Sequence, residues 1–267
     1  VRRFLLLPTP AAPGSSGTGK VPGWLTATHF ALVLAVLAFV FVAAFQHLQH
    51  PWNWEAPWRY RTLFWKGWLT TVALASAALV LSTLIGATAA LASECAFLPA
   101  RAASRLYVEI IRGTPFLVQI LVFFYVVAPV FRLENRYLAG TLALSLFSGA
   151  YITEIIRAGL ASIPASQWES ARSLGLTQAQ TYRLVVVPQA LRVTLPPLAG
   201  QFVSLVKDSS LLSVIGVAEF ALNAQQVSAL TYGTLESYLP LAAGYLLLTL
   251  PISLWARALE RRIRFDS

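Results

Sequence analysis

Six stretches of this chain carry no charged side chain and read as membrane-spanning helices: residues 27–45, 67–93, 113–131, 137–153, 193–206 and 237–256. A helix needs about 20 apolar residues to cross the hydrocarbon core, where each backbone N–H and C=O must find its partner within the segment. The 193–206 stretch is short and holds Pro196-Pro197. It is extended back to about Val185, with a kink where proline removes a backbone donor. Arg192 then sits at the interface or faces protein. The predicted fold class is an all-α membrane protein with about six transmembrane helices. Composition agrees, since 57% of residues are hydrophobic and only 12% charged, about half the charge of a soluble domain.

The net charge of +9 does not point to nucleic acid, because the cations are scattered between apolar runs and form no basic face. Their distribution sets the topology instead. Fourteen of the 20 Lys and Arg residues fall in the N-terminal tail, the second and fourth connections and the C-terminus. Basic residues concentrate on the cytoplasmic side, so both termini and residues 164–188 are expected there. Trp52, Trp54 and Trp58 then form an outer interfacial belt. Residues 1–26, rich in Pro, Gly, Ser and Thr, read as a flexible cytoplasmic tail. Residues 27–62 supply the first span and an outer loop. No small-residue cleavage site follows that span, so it is expected to be retained. Residues 209–222 are apolar but too short to cross, and read as a re-entrant or surface-lying helix. Cys95 is the single cysteine, and His29, His47 and His50 cluster at one end, so no metal site and no cofactor is expected.

Residues 169–188, ESARSLGLTQAQTYRLVVVP, interrupt the apolar pattern. Ser166 stands three residues before Glu169, the spacing of a capping box. Ala171 and Leu174 give a short apolar face, and Gly175 suits a C-cap. Thr177 and Gln180 repeat the capping spacing, so a second helix is predicted to run toward Pro188. Two short helices joined by a glycine hinge, at a membrane face, form a surface for a partner.

These residues resemble the inner-membrane permease subunit of ATP-binding-cassette importers of the polar amino acid uptake family. Its cytoplasmic EAA signature is matched by Glu169-Ser170-Ala171, Gly175 and Val185-Val186-Val187-Pro188. Further elements follow in order: Glu109-Ile110-Ile111-Arg112-Gly113-Thr114-Pro115, then Tyr151-Ile152-Thr153-Glu154-Ile155-Ile156-Arg157-Ala158-Gly159, Pro188-Gln189-Ala190 with Leu195-Pro196-Pro197, and Lys207-Asp208-Ser209-Ser210-Leu211 with Ser213-Val214-Ile215-Gly216. Ser170 and the valines depart from the signature but keep its small residue and apolar face. The resemblance covers residues 63–267, implying a five-helix permease core preceded by one extra helix.

The resemblance implies a transport subunit in a bacterial inner membrane. Its implied partners are a cytoplasmic ATPase dimer, a second permease subunit, an extracytoplasmic solute-binding protein, an amino acid substrate and membrane lipid. The chain holds no GxxxxGK[ST] phosphate loop, so it must borrow its ATPase. Glu169, Ser170, Ala171, Arg172, Gly175 and Pro188 would form the contact, with Glu169 either touching the ATPase or capping its own helix. Glu109, Arg112, Thr114, Glu154, Arg157, Lys207 and Asp208 are candidate path or gate residues, since ionisable groups at membrane depth are often functional. Glu154 with Arg157, and Glu109 with Arg112, have the spacing of local ion pairs. Gln119, Thr141, Ser145, Ser148 and Gln201 are expected to hydrogen-bond between helices. A membrane enzyme or a channel subunit is the alternative, but no nucleophile and base constellation stands out and the coupling signature argues against a channel.

Overall fold

The computed structural model describes residues 23–47 and 52–265. Expectations for residues 1–22 and for His50 lie outside them. Among the described residues every regular element is helical, in the order α1 Gly23–His47, α2 Glu55–Arg59, α3 Arg61–Glu94, α4 Leu98–Gly113, α5 Phe116–Val122, α6 Ala128–Val130, α7 Arg136–Ala161, α8 Ala165–Ser173, α9 Gln178–Thr181, α10 Val187–Asp208, α11 Phe220–Thr231 and α12 Thr234–Phe265. The chain divides into two units, residues 1–52 and 53–267. In the first, α1 carries a continuous apolar stretch, Thr28–Ala43.

In the second unit, four helical stretches are long and apolar enough to cross a membrane: Arg61–Glu94, Arg136–Ala161, Gln178–Ile215 and Thr234–Glu260. A bent pair, Leu98–Gly113 with Phe116–Val130, reaches that length only when its two helices are taken together, and it turns by 112° between them. The expected span at 113–131 is found as the helical run Phe116–Val130, and the bend precedes it. Its N-terminal connection, with Arg101, Arg105 and Arg112, is itself the helix α4. The break comes at Thr114-Pro115, where Thr114 is extended (φ −125°, ψ 148°), as the residue before a proline prefers.

Small residues set how closely these helices approach. In α3 the buried side chains include Thr71, Ala75, Ala78, Ser82, Gly86 and Ala90, a stripe at helical spacing. It packs along α7, whose buried residues include Gly140, Ala143, Gly149 and Ala150. At the crossing a Cβ on Gly86 would stand 2.5 Å from Ile152 Cγ2, and one on Gly149 would stand 2.9 Å from both Ile85 Cγ2 and the Tyr107 hydroxyl. Membrane helices gain nothing from hiding apolar surface in lipid, so close backbone contact through small residues supplies the packing. Thr153 Oγ1 adds a donated bond to Gly86 O at 3.3 Å. Beside this crossing, Leu74, Phe116, Ile120, Leu144, Leu205 and Leu212 form the core of the bundle.

Two prolines are accommodated by widened turns. Pro129 and Pro188 follow five-residue π-helical turns, Phe123–Val127 and Tyr182–Val186. Proline lacks an N–H and crowds the carbonyl four residues back; a π-turn moves that carbonyl aside. Pro188 therefore ends nothing. The helical path runs from Gln178 through the π-turn into α10, so the expected second short helix is the first turn of a long span. That span begins at Gln178, not near Val185.

Residues 209–222, expected as one short apolar helix, divide into two elements. Ser209–Ile215 is a 3-10 turn ended by Gly216 in the left-handed region (φ 76°), and α11 follows. Arg136 Nη1 donates to Gly216 O at 3.0 Å, tying this reversal to the start of α7.

Candidate functional site

The surface element at 164–188 is built on local chemistry. Pro164, not Ser166, occupies the N-cap of α8, with no side-chain cap. The Ser166–Glu169 capping box does not form, because the proline starts the helix two residues earlier and places Ser166 inside its first turn. The C-terminus forms as expected. Gly175 has φ +75°, its N–H donates to Arg172 O at 2.9 Å, and Leu176 N–H donates to Ala171 O at 3.1 Å. These two bonds make a Schellman motif, whose left-handed residue is least strained as glycine. The second capping box is complete: Gln180 N–H donates to Thr177 Oγ1 at 3.3 Å, and Thr177 N–H donates to Gln180 Oε1 at 2.9 Å.

One side of α8 is anchored. Ala171 is 2% exposed, and Trp168, with Leu160, packs against the cluster of Ile163, Val186 and Ala190. The Trp168 ring meets Tyr182 edge-on at 5.0 Å, and Gln189 Nε2 donates to Gln167 Oε1 at 3.2 Å. The other side is open. Glu169, Ser170 and Arg172 are exposed. Leu174 was expected on the apolar face with Ala171 but is 80% exposed, because it is the C-cap where the chain leaves the helix. The Glu169 carboxylate makes no hydrogen bond or ion pair among the described residues.

A second cluster joins α4 to α7. Arg157 donates to Glu154 from Nε at 2.8 Å and from Nη2 at 3.0 Å, the expected local pair. The expected Glu109–Arg112 pair does not form. Arg112 reaches instead across to Glu154 Oε2, at 3.1 Å, and lies 5.6 Å over the Tyr151 ring. Two of the candidate gate residues, Arg112 and Arg157, thus share the carboxylate of a third, Glu154, which receives charge-assisted bonds from both guanidiniums. Glu109 lies beside them in a cleft of about 400 Å³ with Glu94, Arg105, Thr153, Glu154 and Arg157. Thr114 stands at the α4–α5 bend, where Gln119 Nε2 donates to Thr114 Oγ1 at 2.8 Å and to Ile111 O at 2.6 Å.

Lys207 and Asp208 end α10 apart from this cluster and make no ion pair with each other. Lys207 lines a larger cleft, of about 810 Å³, between α10 and α12, with Arg192, Gly200, Ser204, Arg257 and Glu260. Gln201 Nε2 donates to Ser148 Oγ at 3.3 Å, an inter-helix bond as expected. Thr141 and Ser145 bond back within α7 instead.

Sequence reasoning missed Glu219, which is fully buried. Its carboxylate accepts from Ala221 N–H and Leu222 N–H at 2.8 Å each, from Thr71 Oγ1 at 3.3 Å and from the Tyr245 hydroxyl at 2.9 Å. It caps α11 and ties it to α3 and α12. The signal was a lone acid in an apolar run, but Glu is not a usual N-cap, and the run read as uniformly apolar.

The sequence of residues 96–265 matches the family described as binding-protein-dependent transport system inner membrane component. The glutamine transport system permease protein GlnP of Escherichia coli (strain K12) is 35% identical over 79% of this chain and 98% of its own length. The probable glutamine ABC transporter permease protein GlnM of Bacillus subtilis (strain 168) is 34% identical over 76% of this chain and 94% of its own. Among solved structures, an amino acid ABC transporter crystallised with histidines superposes with a TM-score of 0.74 at 36% identity, covering 80% of this chain and all of that one. The MetNI methionine ABC transporter shares the fold, at 18% identity and a TM-score of 0.65. These likenesses disfavour the membrane-enzyme and channel alternatives, and the chain belongs to the family of binding-protein-dependent transport system inner membrane components.

Proposed function

We propose that this chain is the permease subunit of an ATP-driven importer of amino acids. It would work in a bacterial inner membrane with a second permease subunit, a dimer of cytoplasmic ATPases and an extracytoplasmic solute-binding protein. The substrate class is supported by relatives named for glutamine and by the structure named for an amino acid transporter. In this reading residues 1–26 are a cytoplasmic tail, residues 27–62 carry an extra helix and an outer loop, and residues 63–267 are the transport core. With α1 as a span the chain would cross six times, and the distribution of basic residues supports a cytoplasmic side for both termini and α8.

The observation that carries the coupling role is the two-sidedness of α8. Its anchored side is wedged by Trp168 and Ala171 against the start of the Gln178–Ile215 span. Its open side presents Glu169, Ser170, Arg172 and Leu174. A helix so held transmits a push as a rigid body, because its inner contacts are packed and its C-terminal end is closed by the Gly175 bonds and the Thr177–Gln180 box that follows. Closure of an ATPase groove around α8 would move the long span through Trp168–Tyr182 and Gln167–Gln189. Pro188, within that span, would let its first turns bend. The cleft between α10 and α12 would form one wall of the path, with Lys207 and Asp208 near one end. The Arg112–Glu154–Arg157 cluster, with Glu109 and Thr114, would gate the other.

The test is co-purification of the ATPase and amino acid uptake in vesicles after Glu169→Lys and Gly175→Asp. Loss of both properties is expected. Unchanged association and uptake in the two variants would refute the coupling role.

A further inference from the structure

We propose that α4 lies in the plane of the bilayer, seated in the phospholipid headgroup layer at the end of the bundle that carries α8. Three independent observations lead there: the helix's direction, its depth and the order of its faces.

The direction comes from the bend. The helix that follows, Phe116–Val130, turns by 112° from α4. With that apolar segment running through the bilayer, α4 runs close to the membrane surface. The depth comes from two bonds. Ser104 Oγ donates to Ala89 O at 2.7 Å, just short of the end of α3 at Glu94, and Arg112 meets Glu154 just short of the end of α7 at Ala161. At 1.5 Å per residue both points lie roughly 7–11 Å inside the helix ends, the level of the headgroup and upper acyl region of a leaflet. That is also the end from which the chain passes, through Pro164, into α8.

The faces decide the occupant. Successive residues turn by about 100° in an α-helix, which sorts α4 into three stripes. Ser104 and Val108 are buried, and the Tyr107 hydroxyl between them donates to Leu146 O; this stripe faces α3 and α7. Arg101, Arg105, Glu109 and Arg112 form a charged stripe on one side of it. Leu106 and Ile110, 62% and 54% exposed, form an apolar stripe on the other side with Ala103. Charge above, apolar side chains below and protein behind is the arrangement of a helix lying in a membrane interface. The neighbouring elements point the same way, because apolar helices of the bundle precede and follow α4 and bring the bilayer to both of its ends. The arginines suit phosphate, which their planar donors engage bidentately, and their stems extend along apolar surface while the charge stays in the headgroup layer. Arg112 is held by Glu154, which leaves Arg101 and Arg105 to meet lipid phosphates.

This inference rests on the chain's membrane placement and is independent of the substrate and of the coupling role. Its test uses the full transport complex in phospholipid vesicles, in a Cys95→Ser background. Nitroxide labels are attached at Arg105→Cys, Leu106→Cys, Glu109→Cys or Ile110→Cys, one at a time. Collision rates with oxygen, which partitions into lipid, and with a water-soluble nickel chelate are then measured. At 106 and 110 the oxygen-to-nickel ratio should exceed that at 105 and 109 several-fold. Two results would overturn the proposal: labels at 106 and 110 shielded from both reagents, as a second permease copy covering the stripe would make them, or labels there as open to nickel as those at 105 and 109. Uptake by the same labelled complexes is read separately, so a failed transport reading shows as lost uptake with the collision pattern unchanged.

Discussion

Replacing Glu219 by Ala should destabilise the bundle more than any single surface change. The carboxylate accepts four hydrogen bonds from three elements. Truncation removes the cap of α11, worth about 0.5–2 kcal/mol. It also leaves the Tyr245 hydroxyl without its acceptor, and an orphaned buried donor costs about 1–3 kcal/mol. Relief of the carboxylate's own desolvation offsets part of this, so the net expectation is about 1–4 kcal/mol, or roughly 5–700-fold in the unfolding equilibrium. Glu219→Gln keeps one acceptor oxygen but turns an amide donor toward other donors, and should fall between Ala and wild type. The assay is denaturant unfolding of the purified chain in detergent, followed by tryptophan fluorescence. A loss below about 0.5 kcal/mol for Glu219→Ala, the size of an ordinary surface change, would refute the idea that this carboxylate ties three helices. Burial also pushes the Glu219 carboxyl above the usual carboxylate range, against the lowering effect of the Ala221 and Leu222 N–H groups. A raised folded pKa means stability that is fully present below the unfolded value of about 4.3 and is lost as pH rises through the folded pKa. Wild type should therefore lose stability relative to Glu219→Gln as pH is raised through that window, and equal pH profiles would contradict the assignment.

Three further outcomes are expected. Gly86→Leu should cost at least the 1–3 kcal/mol typical of overpacking, because its Cβ already meets Ile152 and Gly149 O; Gly200→Ala, with open space at its Cβ, should be near neutral in the same unfolding assay. Glu154→Gln should change stability by no more than about 1 kcal/mol, since the ion pairs are part-exposed and such pairs are weak, yet should lower uptake if the cluster gates the path; full uptake would remove it from the mechanism. Thr177→Ala should lose about 1 kcal/mol of capping, read as faster amide exchange across residues 177–182.

Features that depend on a few neighbouring residues were legible in the sequence. Gly175 could be placed because a helix end needs a left-handed residue there, and Thr177 with Gln180 because their capping bonds span three positions. The Glu154–Arg157 pair was legible for the same reason. Ser166 misled because two start signals compete within three residues, and the proline at 164 wins by fixing φ before the serine is reached. Pro188 misled in the other direction, since a π-turn absorbs a proline that local rules read as a stop. No secondary structure was legible in the connection with Arg101, Arg105 and Arg112, because its arginines broke the apolar run. Its helical stripes become visible only once α3 and α7 are there to cover one of them.

The sequence by itself determined that this chain is helical and membrane-bound, roughly where the long apolar helices of its second unit fall, and that one polar element stands apart at 164–188. Hydrophobic length and local capping are short-range properties, and composition states them directly. Only the tertiary structure decided which charges meet. Arg112 chose Glu154, 42 positions away, over Glu109 on its own helix, and Glu219 gathered donors from α3 and α12. Such choices depend on how closely the helices pack, and that distance is set at Gly86 and Gly149, where two backbones touch because neither carries a side chain to hold them apart.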